Sequence, residues 1–153
     1  MNYNYEAGFF DGEGSITIQR VGPKREQFTL QVALASNSKK MIDVYAHWGG
    51  RLATYEAGIR QHGKSGIRNC AKSYALFFNR EEAEGLLKDL LPYLRLKREQ
   101  ADIALQFIEA YKKLSPLRIK GKVRGRPHYL GQELETYQSL YETMKKLNAP
   151  ETS

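Results

Sequence analysis

The sequence predicts an α+β domain in which a four-stranded antiparallel sheet is covered by helices on one face only. Two observations carry this. Residues 15–21 and 27–35 alternate apolar and polar side chains with a period of two on either side of Gly22-Pro23, the pattern of a hairpin. Residues 37–48, 80–91, 93–114 and 132–147 instead repeat apolar residues at helical spacing. With a short helix at the start, the core order reads α-β-β-α-β-β-α-α, and helices gathered on one side leave the opposite sheet face free.

Residues 5–16, Tyr-Glu-Ala-Gly-Phe-Phe-Asp-Gly-Glu-Gly-Ser-Ile, supply the first helix. Gly8 and Gly12 are four apart and share a helix face, as do Ala7 and Asp11. Small residues on one face let a second backbone approach closely. Gly12 and Gly14 favour a stop. Asp11 and Glu13 therefore lie where the helix dipole is already negative, an arrangement suited to a bound cation, and a hard ion such as Mg2+ takes oxygen ligands of this kind. The plain alternative is an amphipathic helix with two solvated acids.

Strand one follows, with Ile16 and Ile18 alternating against Ser15, Thr17 and Gln19. Strand two places Phe28, Leu30, Val32 and Leu34 on one face and Gln27, Thr29, Gln31 and Ala33 on the other. The polar face carries Ser, Thr and Gln, with Arg20, Lys24 and Arg25 towards the tip. Such groups read base edges, and a two-stranded ribbon fits a major groove; a plain wet sheet face is the competing reading. Ser36, Asn37 and Ser38 can cap a helix running to Trp48, which Gly49-Gly50 ends. A second hairpin, strands 51–57 and 67–77, is basic: Arg51, Arg60, Lys64, Arg68, Lys72 and Arg80 stand against Glu56 alone, with Tyr55 among them. Arg68 and Lys72 fall in phase with Tyr74 and Leu76, which calls for a bulge or for the other set facing the core.

Asn79 and Glu82 form a capping box for a helix carrying Leu86, Leu87, Leu90 and Leu91, broken at Pro92. A longer helix over 93–114 takes Leu96, Ile103, Phe107, Ile108 and Tyr111 as its stripe. From 112 to 128 there are basic residues and no acid, including Lys120, Arg124 and Arg126. This reads as a loop that follows a DNA backbone or enters a minor groove, or equally as a solvated linker. A last amphipathic helix carries Leu134, Tyr137, Leu140, Tyr141, Met144 and Leu147. The domain organisation expected is a core over 1–114, with 115–153 part of it or appended to it.

Composition narrows the function. Lys and Arg number 24 against 17 Asp and Glu, a net charge of +7, which points to a polyanion, most simply nucleic acid. The single cysteine, Cys70, excludes a disulfide framework and a Cys-based metal site and suits a reducing, intracellular setting. No apolar run approaches the roughly 18 residues of a membrane span, and residues 1–5 lack a signal-peptide pattern. The expected location is cytoplasmic, nucleoid or organellar, not secreted. His47, His62 and His128 show no ligand spacing, and no Ser-His-Asp, Cys-His or P-loop arrangement is present.

The string Ala7-Gly8-Phe9-Phe10-Asp11-Gly12-Glu13-Gly14-Ser15 resembles the LAGLIDADG motif of homing endonucleases. Leu91-Pro92-Tyr93-Leu94-Arg95-Leu96-Lys97 resembles a segment of the single-motif, group I intron-encoded type. The resemblance spans about residues 3–114, and the family's α-β-β-α-β-β-α fold agrees with the order of elements. It implies a site-specific, divalent-metal-dependent double-strand DNA endonuclease. With one motif per chain, it implies a homodimer joined through Ala7, Gly8, Asp11 and Gly12, its strands forming one saddle over a long pseudo-palindromic site.

By the same resemblance, Glu13 and the Gly12 carbonyl would bind Mg2+, for which Mn2+ or Ca2+ could substitute in binding. Asp11 would be structural first and a ligand second. Asn37, with Ser38 and Lys39 as alternatives, would order the attacking water, and Lys97 would act at the scissile phosphate. Glu6 departs from the family pattern, which has Leu there. The partners implied are double-stranded DNA and a second copy, with no membrane and no small-molecule cofactor. The alternatives are an intron-encoded RNA maturase and a non-cleaving DNA-binding regulator on the same fold.

Overall fold

The computed structural model describes residues 1–151 except 23, 26, 62, 63, 65 and 119–128. Helix α1 spans Asn4–Glu13 and feeds directly into β1, Gly14–Val21; β2 is Gln27–Ser36. Helix α2, Lys39–Val44, continues as a short 3-10 turn over Ala46–Trp48. Four further strands follow: β3 Arg51–Tyr55, β4 Gly58–Gln61, β5 Ile67–Cys70 and β6 Ser73–Phe78. Helices α3 (Arg80–Leu90), α4 (Arg98–Leu114) and α5 (Gly131–Leu147) complete the chain.

The main sheet is antiparallel with strand order β1-β2-β6-β3, and β4 and β5 form a separate two-stranded ribbon. Each sequence-predicted strand of the second hairpin is thus broken in two. The break is not a bulge. Tyr55 pairs Ser73 and Gly58 pairs Cys70, so the register passes through residues 56–57 and 71–72 without a slip. Glu56 and Lys72 stand opposite each other in that gap and form an ion pair at 3.2 Å. Arg68 and Lys72 keep the phase of Tyr74 and Leu76, because the ribbon projects past the core and its two faces need not differ in polarity.

The core lies between the sheet and the helices. Ile16, Ile18, Phe28, Val32, Leu34, Leu76 and Phe78 from the sheet meet Phe10 of α1, Ile42, Tyr45 and Trp48, Leu86, Leu87 and Leu90 of α3, and Phe107 and Ile108 of α4. Tyr137, Leu140 and Met144 of α5 join the same cluster. The stripe of α5 begins with Glu133 rather than Leu134: Glu133 is fully buried and Leu134 is 40% exposed. The buried charge is satisfied by Arg118, whose guanidinium gives bonds of 2.8, 2.9 and 2.6 Å, and by the Tyr137 hydroxyl at 2.9 Å.

The capping box on Asn79 forms as expected, Asn79 Oδ1 accepting from the Glu82 amide at 3.0 Å and Glu82 Oε2 from the Asn79 amide at 2.8 Å. Residues 91–97, in contrast, are not helical. They form a turn between α3 and α4, and Leu96, expected on the α4 stripe, is 74% exposed.

Candidate nucleic-acid interface

The last turn of α1 and the turn over 91–97 are tied together by Asp11. Its carboxylate is buried and accepts the backbone amides of Arg95 at 2.8 Å and Lys97 at 2.9 Å. Lys97 donates its ammonium in return to the Asp11 carbonyl. Lys97 is therefore held at the C-terminal end of α1, where carbonyl oxygens and the helix dipole favour a cation. Both oxygens of Asp11 are committed to backbone donors.

Gly12 and Glu13, one and two residues on, are exposed at the corner where α1 enters the sheet. The next residue, Gly14, is opposite Leu34 on β2. Beyond Leu34 the chain runs Ala35, Ser36, Asn37, so Asn37 lies at the same end of the sheet, about 10 Å along at strand spacing. Lys39, an alternative for that role, is engaged by Asp43 at 2.8 Å, and Ser38 precedes α2 as its N-cap. The exposed residues at the corner, Gly12 and Glu13, offer a backbone carbonyl and a carboxylate, oxygen ligands of the kind a hard divalent ion takes. Among the described residues no three His, Cys, Asp or Glu side chains gather as a metal site.

Gly14 owes its identity to space. Its φ is −74°, which any residue can adopt, but a Cβ there would stand 2.7 Å from the Phe10 ring. The expected pairing face of α1 needs correction. Ala7 is fully buried and Asp11 nearly so within the chain's own core, leaving them no surface for a partner. Gly8 and Gly12 are exposed, and a Cβ at either would meet nothing within 4 Å. Tyr5, 63% exposed, lies on the same side. Glu6 accepts a bond from the Tyr45 hydroxyl at its carbonyl, 2.5 Å. Burial, then the nearby Glu6 charge, pushes the Tyr45 phenol above its ordinary value.

The free face of the sheet carries Ser15, Thr17 and Gln19 on β1 and Gln27, Thr29 and Gln31 on β2, in register and opposite to the buried Ile16, Ile18, Val32 and Leu34. Gln19 Nε2 donates to Gln31 Oε1 at 2.6 Å across the strands. Towards β3 the face changes. Ala33, Phe77 and Arg51 form one row, with the Arg51 guanidinium 5.1 Å from the Phe77 ring centre, and Ala35, Ala75 and Ala53 form the next. Tyr55 ends this face, and the Arg60 guanidinium comes back onto its ring at 5.4 Å.

Two other basic residues, Arg20 and Lys72, are placed differently from the sequence expectation. Arg20 falls in phase with Ile16 and Ile18 and lies 5.6 Å from the Phe28 ring centre, donating to the Arg25 carbonyl at 2.9 Å. Lys72 is paired with Glu56, and hydrogen bonding to that carboxylate raises its pKa. Lys24 and Arg25 are exposed at the first hairpin turn and Lys64 at the second. Arg68 stands directly opposite Arg60, a like-charge pair that a polyanion would relieve. Lys120, Arg124 and Arg126 lie outside the described residues, as do His62 and His128.

Sequence reasoning missed the Arg118–Glu133–Tyr137 network, whose flanks bracket the 119–128 stretch. Tyr129 joins the same corner: its hydroxyl accepts the Phe28 amide at 3.3 Å, and the Arg118 guanidinium lies 4.6 Å from its ring centre. The available signal was Glu133 and Tyr137 at helical i, i+4 spacing.

No family model and no curated protein matches the chain. Solved structures do. The homing endonuclease I-CvuI, in complex with its target in the presence of Ca, is 19% identical, covers 99% of this chain and 85% of its own, and superposes with a TM-score of 0.59. The archaeal intron-encoded homing endonuclease I-Vdi141I, complexed with DNA, gives 16% identity, 97% and 84% coverage and a TM-score of 0.64. The LAGLIDADG meganuclease I-AabMI, bound to uncleaved DNA, gives 17% identity and a TM-score of 0.57; 94% of this chain matches 45% of that one. The chain has the fold of these proteins.

Proposed function

We propose that this chain, built on the LAGLIDADG homing-endonuclease fold, is a site-specific double-strand DNA endonuclease that works as a homodimer with a divalent metal, Mg2+ by preference. The observation that carries the reading is the corner at the end of α1. There Glu13 is exposed at the foot of the free sheet face, and Asp11 holds Lys97 beside the same helix end. The free face offers uncharged hydrogen-bonding groups to base edges, and its basic margins offer charge to phosphates.

Glu13 and the Gly12 carbonyl would hold the ion, and a bound divalent ion supplies Lewis-acid activation of the phosphodiester and of water. Lys97 places a positive charge where the phosphate becomes more negative during in-line attack. Asp11 fixes Lys97 and so spares it reorganisation at that moment. Asn37 lies at the same sheet end to orient the water. One chain offers one Glu13, and cutting both strands needs two. The exposed Gly8 and Gly12 face supports pairing through α1, and the match of this chain to 45% of I-AabMI supports its serving as half of a larger unit. A group I intron as host element accords with the single-motif resemblance.

The test is Glu13→Gln. Strand cleavage should fall by about a hundredfold to a thousandfold, the scale on which lost electrostatic catalysis is measured, while DNA affinity stays within a few fold. A Glu13→Gln protein that cuts at the parental rate refutes the mechanism.

A further inference from the structure

Ile59 and Ile67 are 76% and 73% exposed. They are not scattered surface residues. Ile59 is opposite Asn69 and Ile67 opposite Gln61, so the two isoleucines are diagonal neighbours on one face of the β4–β5 ribbon, with the exposed Asn69 beside them. The register count runs unbroken from Tyr55–Ser73 to Gly58–Cys70, so Ile59 and Ile67 keep the parity of Arg51 and Tyr55 in a separate ribbon beyond the end of that sheet face. Arg60 and Arg68 occupy the opposite phase. The ribbon therefore presents apolar groups and an amide in phase with the proposed DNA face, with the two arginines on its other side, from which the Arg60 guanidinium reaches the Tyr55 ring at 5.4 Å.

In a major groove, the apolar feature of a base edge is the thymine 5-methyl, and Asn pairs well with the adenine N6 and N7. We propose that Ile59 and Ile67 contact thymine methyl groups, with Asn69 hydrogen-bonded to adenine, so that this ribbon selects T·A pairs in each half of the site. The inference rests on the DNA reading above and deepens it. It makes the 5-methyl part of recognition, which an RNA duplex containing uracil lacks. Charge supports this occupant: Arg60, Lys64 and Arg68 stand within residues 58–70, which hold no acid, and Glu56 before them is paired with Lys72.

The experiment begins with selection from a random duplex DNA pool by the parental protein in Ca2+, followed by affinity measurements on the enriched duplex with single thymines replaced by uracil. At one or two positions per half-site, removing the methyl should weaken binding about fourfold each. The Ile59→Ala/Ile67→Ala protein should bind thymine and uracil versions equally at those positions. Its melting temperature should be unchanged, because both side chains are exposed. Asn69→Ala should lower preference for the T·A pair over C·G at an adjacent step. Equal binding of thymine and uracil by the parental protein overturns the inference alone, as does a double variant that still discriminates. A pool with no enriched sequence overturns the DNA reading and this inference with it.

Discussion

Asp11 and Lys97, 86 positions apart, are joined twice: the Lys97 amide donates to the Asp11 carboxylate at 2.9 Å and its ammonium to the Asp11 carbonyl. A helix end from the start of the chain is thereby locked to a turn from its middle, and the cation is held at the C-terminal end of α1. Asp11→Ala removes the acceptor for two backbone amides, Arg95 and Lys97. Stability should fall by about 2–3 kcal/mol, the cost of leaving buried donors unpaired. Urea denaturation measures this, and cleavage should drop by more than DNA affinity, because Lys97 loses its support.

Gly14→Ala should destabilise the fold by about 1–3 kcal/mol through overpacking, since the new Cβ would stand 2.7 Å from the Phe10 ring. Adding Phe10→Leu should recover part of that loss in thermal melts. Costs that simply add would mean the ring is not the obstacle.

Gly8 offers the reverse case. Nothing lies within 4 Å of a Cβ there, so Gly8→Leu leaves the monomer unstrained and improves helix propensity by roughly 0.8 kcal/mol. The same side chain would hold two α1 helices apart. Gel filtration should show the parental protein near twice 17.5 kDa and the Gly8→Leu protein near 17.5 kDa, with an unchanged circular dichroism spectrum.

Glu133 gives a pH signature. Burial alone would raise its pKa, but hydrogen bonds from Arg118 and Tyr137 outweigh this and hold it below the ordinary carboxylate value. A lowered folded-state pKa stabilises the fold above the unfolded value, about 4.3, and that contribution is lost as pH falls towards the folded value. Glu133→Gln should cost about 3 kcal/mol at pH 7 by leaving the Arg118 charge poorly paired. The gap between the two proteins should narrow below about pH 4. Glu84, whose carboxyl hydrogen bonds from Lys112 and Lys88 also hold low, is common to both and cancels.

Local chemistry made much of this protein legible in its sequence. Alternation in Ser15–Val21 and Gln27–Ala35 requires a hairpin with one buried face whatever surrounds it, because side chains on a strand must alternate. Asn79 and Glu82 cap a helix through contacts three residues apart. The run Ala7–Ser15 similarly marks a helix with small residues and acids at its end, and the net charge of +7 points to a polyanion.

Tertiary structure decided whatever depends on contacts between distant parts of the chain. Ala7 and Gly8 are both small, and only packing against the core buries the first and exposes the second. Asp11 and Glu13 are both acids on one helix end. Backbone amides from residues 95 and 97 claim Asp11, leaving Glu13 to solvent. Leu134 looked like core and Glu133 like surface until Arg118 and Tyr137 supplied the bonds that make a buried carboxylate tolerable. The basic residues of the second ribbon could be counted in advance, but their directions depended on an unslipped break at 56–57 and 71–72, which no local period encodes.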